Sequence, residues 1–333
     1  MMNVESEKIS LEDIKGIGDK AAEKLRERGI GTVEQLILLR PEELAAILGV
    51  NLLKAKEILM DAKDKALSRA IEVWTGARLK EYREKHVQRI PTGIDELDRD
   101  LGGGLPTDCV ISVAGASATG KSQLMYTLTV NAIGILGRPV FLIETEPSTL
   151  SIERIMEIAG AKGVNIKLEE DLYVIPAKFI VSPYAQYLAY EMVRKMSEEK
   201  GIKPALIGVD SFTAKFRGWY GGRETLPSRS QEIARHITFL QELASIFNCL
   251  VYLTEQVYGV PDTGQQLQSM MKFGDIRRVY GGEYLLHAPS MCFMITQTKS
   301  DEYELIAYDV PFLPKKSYPF KITREGIKGT YKV

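Results

Sequence analysis

The sequence predicts an α/β fold with a mainly parallel sheet, preceded by a small all-α domain. Three observations carry this expectation. After residue 90, six apolar runs ("CVISVAG", "PVFLIET", "LYVIPA", "ALIGVDS", "LVYLTEQ" and "MCFMITQ") alternate with helix-length amphipathic stretches. Strands apolar on both faces belong to a sheet covered on both sides. Before residue 70, short helical patterns are punctuated by "KGIGDK", "ERGIGT", "LRPEE" and "LGVN", and a charged, proline-free stretch separates the two textures.

Taken in chain order, Leu11, Ile14, Ile17, Ala21, Ala22 and Leu25 fall near helical spacing around Gly16 and Gly18, and Leu36, Leu44, Ile47 and Leu48 continue the pattern. This gives a helical domain over residues 1–66. Residues 67–89 read as a linker passing into a helix, and residues 90–333 as the α/β core. The final runs, "YELIAYDV" and "PFKITREGI", follow each other without a helix between them and predict an antiparallel extension of the sheet.

The 333 residues are 45% hydrophobic and 26% charged with a formal net charge of −1, so any nucleic-acid contact must come from local basic patches. Cys109, Cys249 and Cys292 lie singly in apolar runs, which predicts reduced core thiols. Glu5, Glu7 and Lys8 open the chain without an apolar leader, and the longest hydrophobic run is cut by Asn131, Arg138 and Pro139. Neither a signal peptide nor a membrane span is expected, and the expected location is the cytoplasm.

"GASATGKS" fits G-x-x-x-x-G-K-[ST] in full, between a strand-like and a helix-like segment. The glycines let backbone N–H groups close on phosphate oxygens, and the helix N-terminus favours their charge. The residues expected at the nucleotide are Gly115, Ala116, Ser117, Ala118, Thr119, Gly120, Lys121, Ser122 and Gln123. Lys121 should reach the β- and γ-phosphates of ATP, and Ser122 should ligate Mg²⁺. Asp210, ending an apolar strand, is the second candidate for the metal. In an ATPase one of Glu144 and Glu146, at the end of "PVFLIETEP", is placed to orient or deprotonate an attacking water; Glu146, further out, is preferred, and the alternatives are Glu144 as the base or both as solvated strand-end residues.

Here the residues resemble the RecA-type recombinase family, in particular its archaeal and eukaryotic Rad-type branch. The similarity runs through "QRIPTGIDELDRDLGGGLPT", "GKSQL", "IERI", "VDSFTAKFRGWYGGRETLPSRSQEI", "TEQV", "VYGGEYLLH" and "YDVPFLP". It implies a RecA-like ATPase core, a DNA-dependent ATPase activity, and filaments on single-stranded DNA that promote homologous pairing with a duplex. A nucleoid-associated location follows from that activity. "IKGIG" resembles a helix-hairpin-helix, whose turn at Gly16 and Gly18 could offer backbone N–H groups to a DNA phosphate; a protein-docking domain is the alternative.

The resemblance also assigns particular residues. Gln256 would link the γ-phosphate to a second DNA loop, and Arg154 would lie at the nucleotide. Asp309 and Pro311 would cap a neighbouring subunit's nucleotide. Lys315 stands where relatives carry an acid that helps bind a monovalent cation, and either supplies that charge itself or is a solvated lysine. Arg217, Tyr220, Arg223 and Arg229 match a first DNA loop, with Trp219 beside them. Lys272, Arg277 and Arg278, with Met270, Met271 and Phe273, match the second, which is longer than usual; a solvated loop without a DNA role is the alternative there.

Departures from the family pattern are "ASATG" in the phosphate loop, Glu255 for the usual Asn, and Glu283 for a His. "WTGA", Trp74 to Ala77, matches the aromatic-x-x-Ala motif that docks into the next subunit. Its rival is packing of Trp74 within its own helical domain. The expected partners are therefore DNA, further copies in a helical filament or ring, and other recombinase or paralogue subunits. A regulatory paralogue and a non-catalytic DNA scaffold are the alternative functions.

Overall fold

The computed structural model describes residues 9–70, 72–257 and 284–330. The chain divides into two compact units, Met1–Tyr82 and Arg83–Val333.

In the first unit a short turn, Leu11–Asp13, leads to α1 (Asp19–Glu27), α2 (Val33–Ile37), α3 (Pro41–Leu48) and α4 (Leu52–Ala70). Each start has a local cause. The Thr32 hydroxyl accepts from the Gln35 amide at the head of α2, Pro41 opens α3, and Asn51 accepts from the Lys54 amide at the head of α4. The core joins Leu11, Ile14, Leu25, Leu36, Leu44 and Ile58, all buried. Gly16 holds φ +97° with Ile58 Cγ1 only 3.0 Å from where a Cβ would stand, so its turn requires glycine. Gly18 has φ −98° as the N-cap of α1 and open space around it. The last helix of this unit runs to Ala70, past the expected boundary at residue 66. The segment that follows is itself helical in α5 (Gly76–His86).

The second unit is an α/β core. Its strands are β1 (Arg89–Ile90), β2 (Leu105–Pro106), β3 (Cys109–Gly115), β4 (Val140–Glu144), β5 (Leu172–Ile175), β6 (Leu206–Asp210), β7 (Leu250–Gln256), β8 (Met291–Lys299), β9 (Glu302–Asp309), β10 (Lys316–Thr323) and β11 (Gly326–Gly329). Among the described residues the main sheet has nine strands in the order β11-β10-β9-β8-β3-β7-β6-β4-β5. The pairs from β8 to β5 are parallel and those from β8 to β11 antiparallel, as the apolar runs predict. β3 is buried along its whole length.

Besides the short helices α6 (Asp95–Asp100) and α9 (Leu168–Asp171), one face is covered by α7 (Lys121–Leu136) and α8 (Ile152–Lys162), the other by α10 (Pro183–Lys200) and α12 (Leu226–Phe247). The three cysteines are free and buried. No helix among the described residues is long and apolar enough to cross a membrane.

The approach to β3 is fixed by backbone contacts. Asp98 accepts from the Thr92 amide, the Thr92 hydroxyl and the Gly93 amide. Gly93 has φ +88° with the Ile327 carbonyl oxygen 2.3 Å from a would-be Cβ. Gly93→Ala should therefore destabilise the core by about 2 kcal/mol or more. Gly160→Ala, in α8 with ordinary φ and nothing nearby, should stabilise it by about 0.5–1 kcal/mol. Denaturant unfolding of the two variants checks both signs.

Candidate nucleotide site

The site grows from the C-terminal ends of four adjacent parallel strands. The pairing register sets Gly115 of β3 opposite Gln256 of β7, and Glu144 of β4 opposite Asp210 of β6. A Cβ on Gly115 would lie 2.7 Å from the Ile295 carbonyl oxygen and 2.8 Å from Thr119 Oγ1, so β3 can run into its loop there only as glycine. Gly120, at φ +100°, is the N-cap of α7, and Ala118 takes the left-handed region at φ 61°. The Thr119 hydroxyl donates to the Ala116 carbonyl at 2.9 Å. Lys121 curls over the loop and donates to the carbonyls of Gly115 at 2.9 Å and Ala116 at 2.6 Å. Burial lowers its pKa, and an anion arriving beside it would favour the charged form.

The expected metal pair lies together. The Ser122 hydroxyl donates to Asp210 Oδ2 at 2.7 Å, and the Thr254 hydroxyl donates to Oδ1. Burial pushes the Asp210 carboxyl up, against those two hydrogen bonds. Thr254 is a site residue that sequence reasoning missed; its signal is a hydroxyl two residues before Gln256 in an otherwise apolar strand. The buried carboxylate and hydroxyl suit a hard cation. Among the described residues no cluster of three or more metal-ligating side chains exists, so Mg²⁺ would draw its remaining ligands from phosphate and water.

The two candidate bases separate clearly. Glu144 accepts from the amides of Thr149 and Leu150 through Oε1 and from Ala177 through Oε2, so its carboxylate shapes loops. Glu146 instead accepts from Arg217 at 3.2 Å and from Gln256 Nε2 at 3.2 Å, and Arg217 also donates to Gln256 Oε1 at 2.5 Å. Arg217, expected on DNA, thus faces the nucleotide site.

It lies on α11 (Ala214–Trp219), and Tyr220 stacks on Phe216 with ring centroids 6.5 Å apart. Arg229 lies within α12 and Arg223 opens a short turn, Arg223–Thr225; the Arg223 side chain lies outside the described residues. So do Lys272, Arg277, Arg278, Met270, Met271, Phe273 and Glu283.

Arg154 braces the site's flank. Its Nε donates to Gln123 Oε1 at 2.9 Å and it also donates to the Thr323 carbonyl, tying α7 to the β10–β11 hairpin. Asp309 is 2.9 Å from His287 Nδ1, and the Lys315 ammonium lies 4.6 Å from the Tyr308 ring centre. Trp74 is half-buried by its own following helix: its ring meets Tyr82 edge-on at 4.9 Å, and the Arg78 guanidinium lies over it at 4.6 Å. Ala77 is exposed.

Glu255 is wholly buried, accepts from the Thr213 hydroxyl at 2.8 Å, and has its other oxygen unpartnered. Burial raises its pKa from 4.5 to about 8. The folded chain therefore keeps a proton that the unfolded chain releases, and this contribution to stability is lost as pH rises from 4.5 towards 8. Glu255→Gln should gain stability relative to the unsubstituted protein across that window, by at most about 1.4 kcal/mol per pH unit. Unfolding curves at several pH values check this; parallel stability profiles would contradict it.

A family model described as Rad51 matches residues 83–330, and one described as a SAM-like helix-hairpin-helix tandem matches residues 8–64. The DNA repair and recombination protein RadA of Metallosphaera sedula is 31% identical over 325 residues, covering 96% of this chain and 95% of that protein. The protein of the same name from Aeropyrum pernix is 32% identical over 323 residues, 95% of each chain. With one model spanning the core and relatives matching from end to end, the chain belongs to the Rad51 family as a RadA-like, RecA-type recombinase.

Proposed function

We propose that this protein is an ATP-dependent DNA recombinase that assembles on single-stranded DNA and pairs it with a homologous duplex in recombinational repair. The observation that carries the reading is the strand register, which gathers the phosphate loop, Asp210, Glu146 and Gln256 at the C-terminal ends of adjacent strands. The end-to-end relatives, both named for DNA repair and recombination, support it and do not favour a regulatory paralogue or a scaffold.

On this reading Lys121 leaves the Gly115 and Ala116 carbonyls for the β- and γ-phosphates, and the loop amides hold the same groups. Ser122 and Asp210 would hold Mg²⁺, which would supply positive charge to offset that of the phosphates. Glu146 orients the attacking water and accepts its proton, and Gln256 senses the γ-phosphate. Arg154 keeps Gln123 and the head of α7 in place. Asp309 and Pro311 cap the nucleotide of the next subunit, with the exposed Lys315 supplying a positive charge there in place of a monovalent cation.

Arg217, Tyr220, Arg223 and Arg229, with Lys272, Arg277 and Arg278 of the second loop, serve the DNA strands. Gly16 and Gly18 would present the helix-hairpin-helix turn to a phosphate. The protein acts in the cytoplasm, on the nucleoid.

Assembly follows from an open edge. Among the described residues β5 pairs only with β4, and later in the chain Tyr184, Leu188 and Met192 form an exposed stripe at every fourth residue of α10, with Phe179 and Val181 exposed just before that helix. An unpaired edge and an exposed apolar stripe suit an extended segment that adds backbone hydrogen bonds and buries an aromatic anchor. The occupant we assign is Trp74–Ala77 of a second copy. Trp74 would leave Tyr82 and Arg78 to enter that surface, with Ala77 allowing close approach.

Purified protein with ATP, Mg²⁺ and single-stranded DNA should convert a homologous duplex into joint molecules, and turnover should not require potassium. Lys121→Ala should abolish pairing and lower turnover about 100-fold or more. Intact ATP hydrolysis without joint molecules would refute the recombinase reading. Trp74→Ala and Leu188→Glu should each cut the mass of the assembled protein by light scattering while leaving the core folded; unchanged mass in both would refute the docking assignment.

A further inference from the structure

Three side chains from separate elements close a ring of hydrogen bonds at the edge of the nucleotide site. Arg217 donates to Gln256 Oε1 at 2.5 Å and to Glu146 Oε1 at 3.2 Å, and Gln256 Nε2 donates to Glu146 Oε2 at 3.2 Å. Both oxygens of the proposed base and both ends of the proposed sensor are thereby engaged with protein. We propose that Arg217 is a latch: without DNA it holds Glu146 and Gln256 together in a resting arrangement, and a DNA phosphate that takes its guanidinium releases them to act on ATP. The inference rests on the reading of Glu146 and Gln256 given above and adds the means by which DNA controls them.

The placement of Arg217 supports this role. It stands between Phe216, which is fully buried, and a solvent-facing segment in which Trp219 is 64% exposed. Phe216 fixes the inner side of α11, and the glycine-rich run Gly218–Gly222 continues outward from Arg217. The same helix begins beside Thr213, whose hydroxyl holds Glu255, the neighbour of Gln256. A pull on this short helix therefore acts on two adjacent residues at the end of β7.

The chemistry of exchange is equally direct. Arg217 and Glu146 keep 28% and 33% of their side-chain exposure, so the pair is within reach of solvent. Two oxygens of a phosphate group offer the planar guanidinium the same charged, two-pronged geometry as a carboxylate. An ion pair this exposed is weak enough to be displaced by a polyanion, which a wholly buried pair would resist. The latch is thus a positioning device: Arg217 controls when the proposed base is free and takes no part in the chemistry.

The test is steady-state ATP hydrolysis by Arg217→Gln with and without saturating single-stranded DNA, with thermal unfolding to establish folding. DNA-free kcat should rise roughly 2- to 5-fold, the population shift available from an exposed ion pair, with KM for ATP unchanged. DNA should then add less than it does to the unsubstituted protein. Arg217→Lys, which keeps the charge but cannot bridge both acceptors as a planar fork, should give a smaller rise, and it carries the test should the glutamine variant fail to fold. A DNA-free kcat at or below that of the unsubstituted protein, with only DNA affinity lost, would overturn the latch and leave the recombinase reading intact. Absence of any DNA-stimulated hydrolysis in the unsubstituted protein would overturn the reading itself.

Discussion

Gly115 lies against the Ile295 carbonyl and the Thr119 hydroxyl at distances that no side chain could tolerate, and that close approach decides where β3 stops and the phosphate loop begins. The neighbouring strands then inherit a reference point. β7 ends with Gln256 opposite Gly115, and β6 ends with Asp210 opposite Glu144. Because a one-residue slip in a parallel sheet would turn every side chain to the other face, this register ties the proposed nucleotide cradle, the proposed metal-side carboxylate and the proposed sensor to the C-terminal ends of adjacent strands. The buried hydrophobic residues on both faces of the sheet keep it there.

A second organising feature is the handling of charge at those strand ends. Asp210, Glu255 and Lys121 are all buried, and burial shifts each of them toward its neutral form. The hydroxyls of Ser122 and Thr254 satisfy Asp210, and that of Thr213 satisfies one oxygen of Glu255, without adding charge. Arriving phosphates and a cation would supply the counter-charges that the protein alone withholds, and they would do so in a region of low dielectric where such interactions are strong. Glu146 and Arg217, further out and partly exposed, form the one described ion pair linking these strand ends to α11.

Much of the fold was legible because its signals are local and periodic. Every strand of the parallel sheet coincides with an apolar run, and the phosphate loop announces itself by glycines at fixed spacing. Ser122, Asp210, Glu146 and Gln256 are residue types whose chemistry the pattern requires, and the structure brings them together. What the pattern could not convey depends on partners distant in sequence. Arg217 reads as a DNA contact because its neighbours are basic and aromatic, and only the fold, which packs α11 on α10, brings it to Gln256 and Glu146. Glu144 and Glu146 look alike in the chain, and the Thr149, Leu150 and Ala177 amides separate them. Trp74 was expected either in a partner or within its own helical domain; eight residues on, Tyr82 provides a local cover that neither expectation named.

The proposed function couples ATP at the C-terminal ends of the parallel strands to assembly on DNA. Electron microscopy of the purified protein with single-stranded DNA and a non-hydrolysable ATP analogue tests it most directly. The account predicts continuous helical filaments that require the analogue and hold the DNA extended along their axis. Discrete particles on DNA, or filaments indifferent to nucleotide, would contradict it.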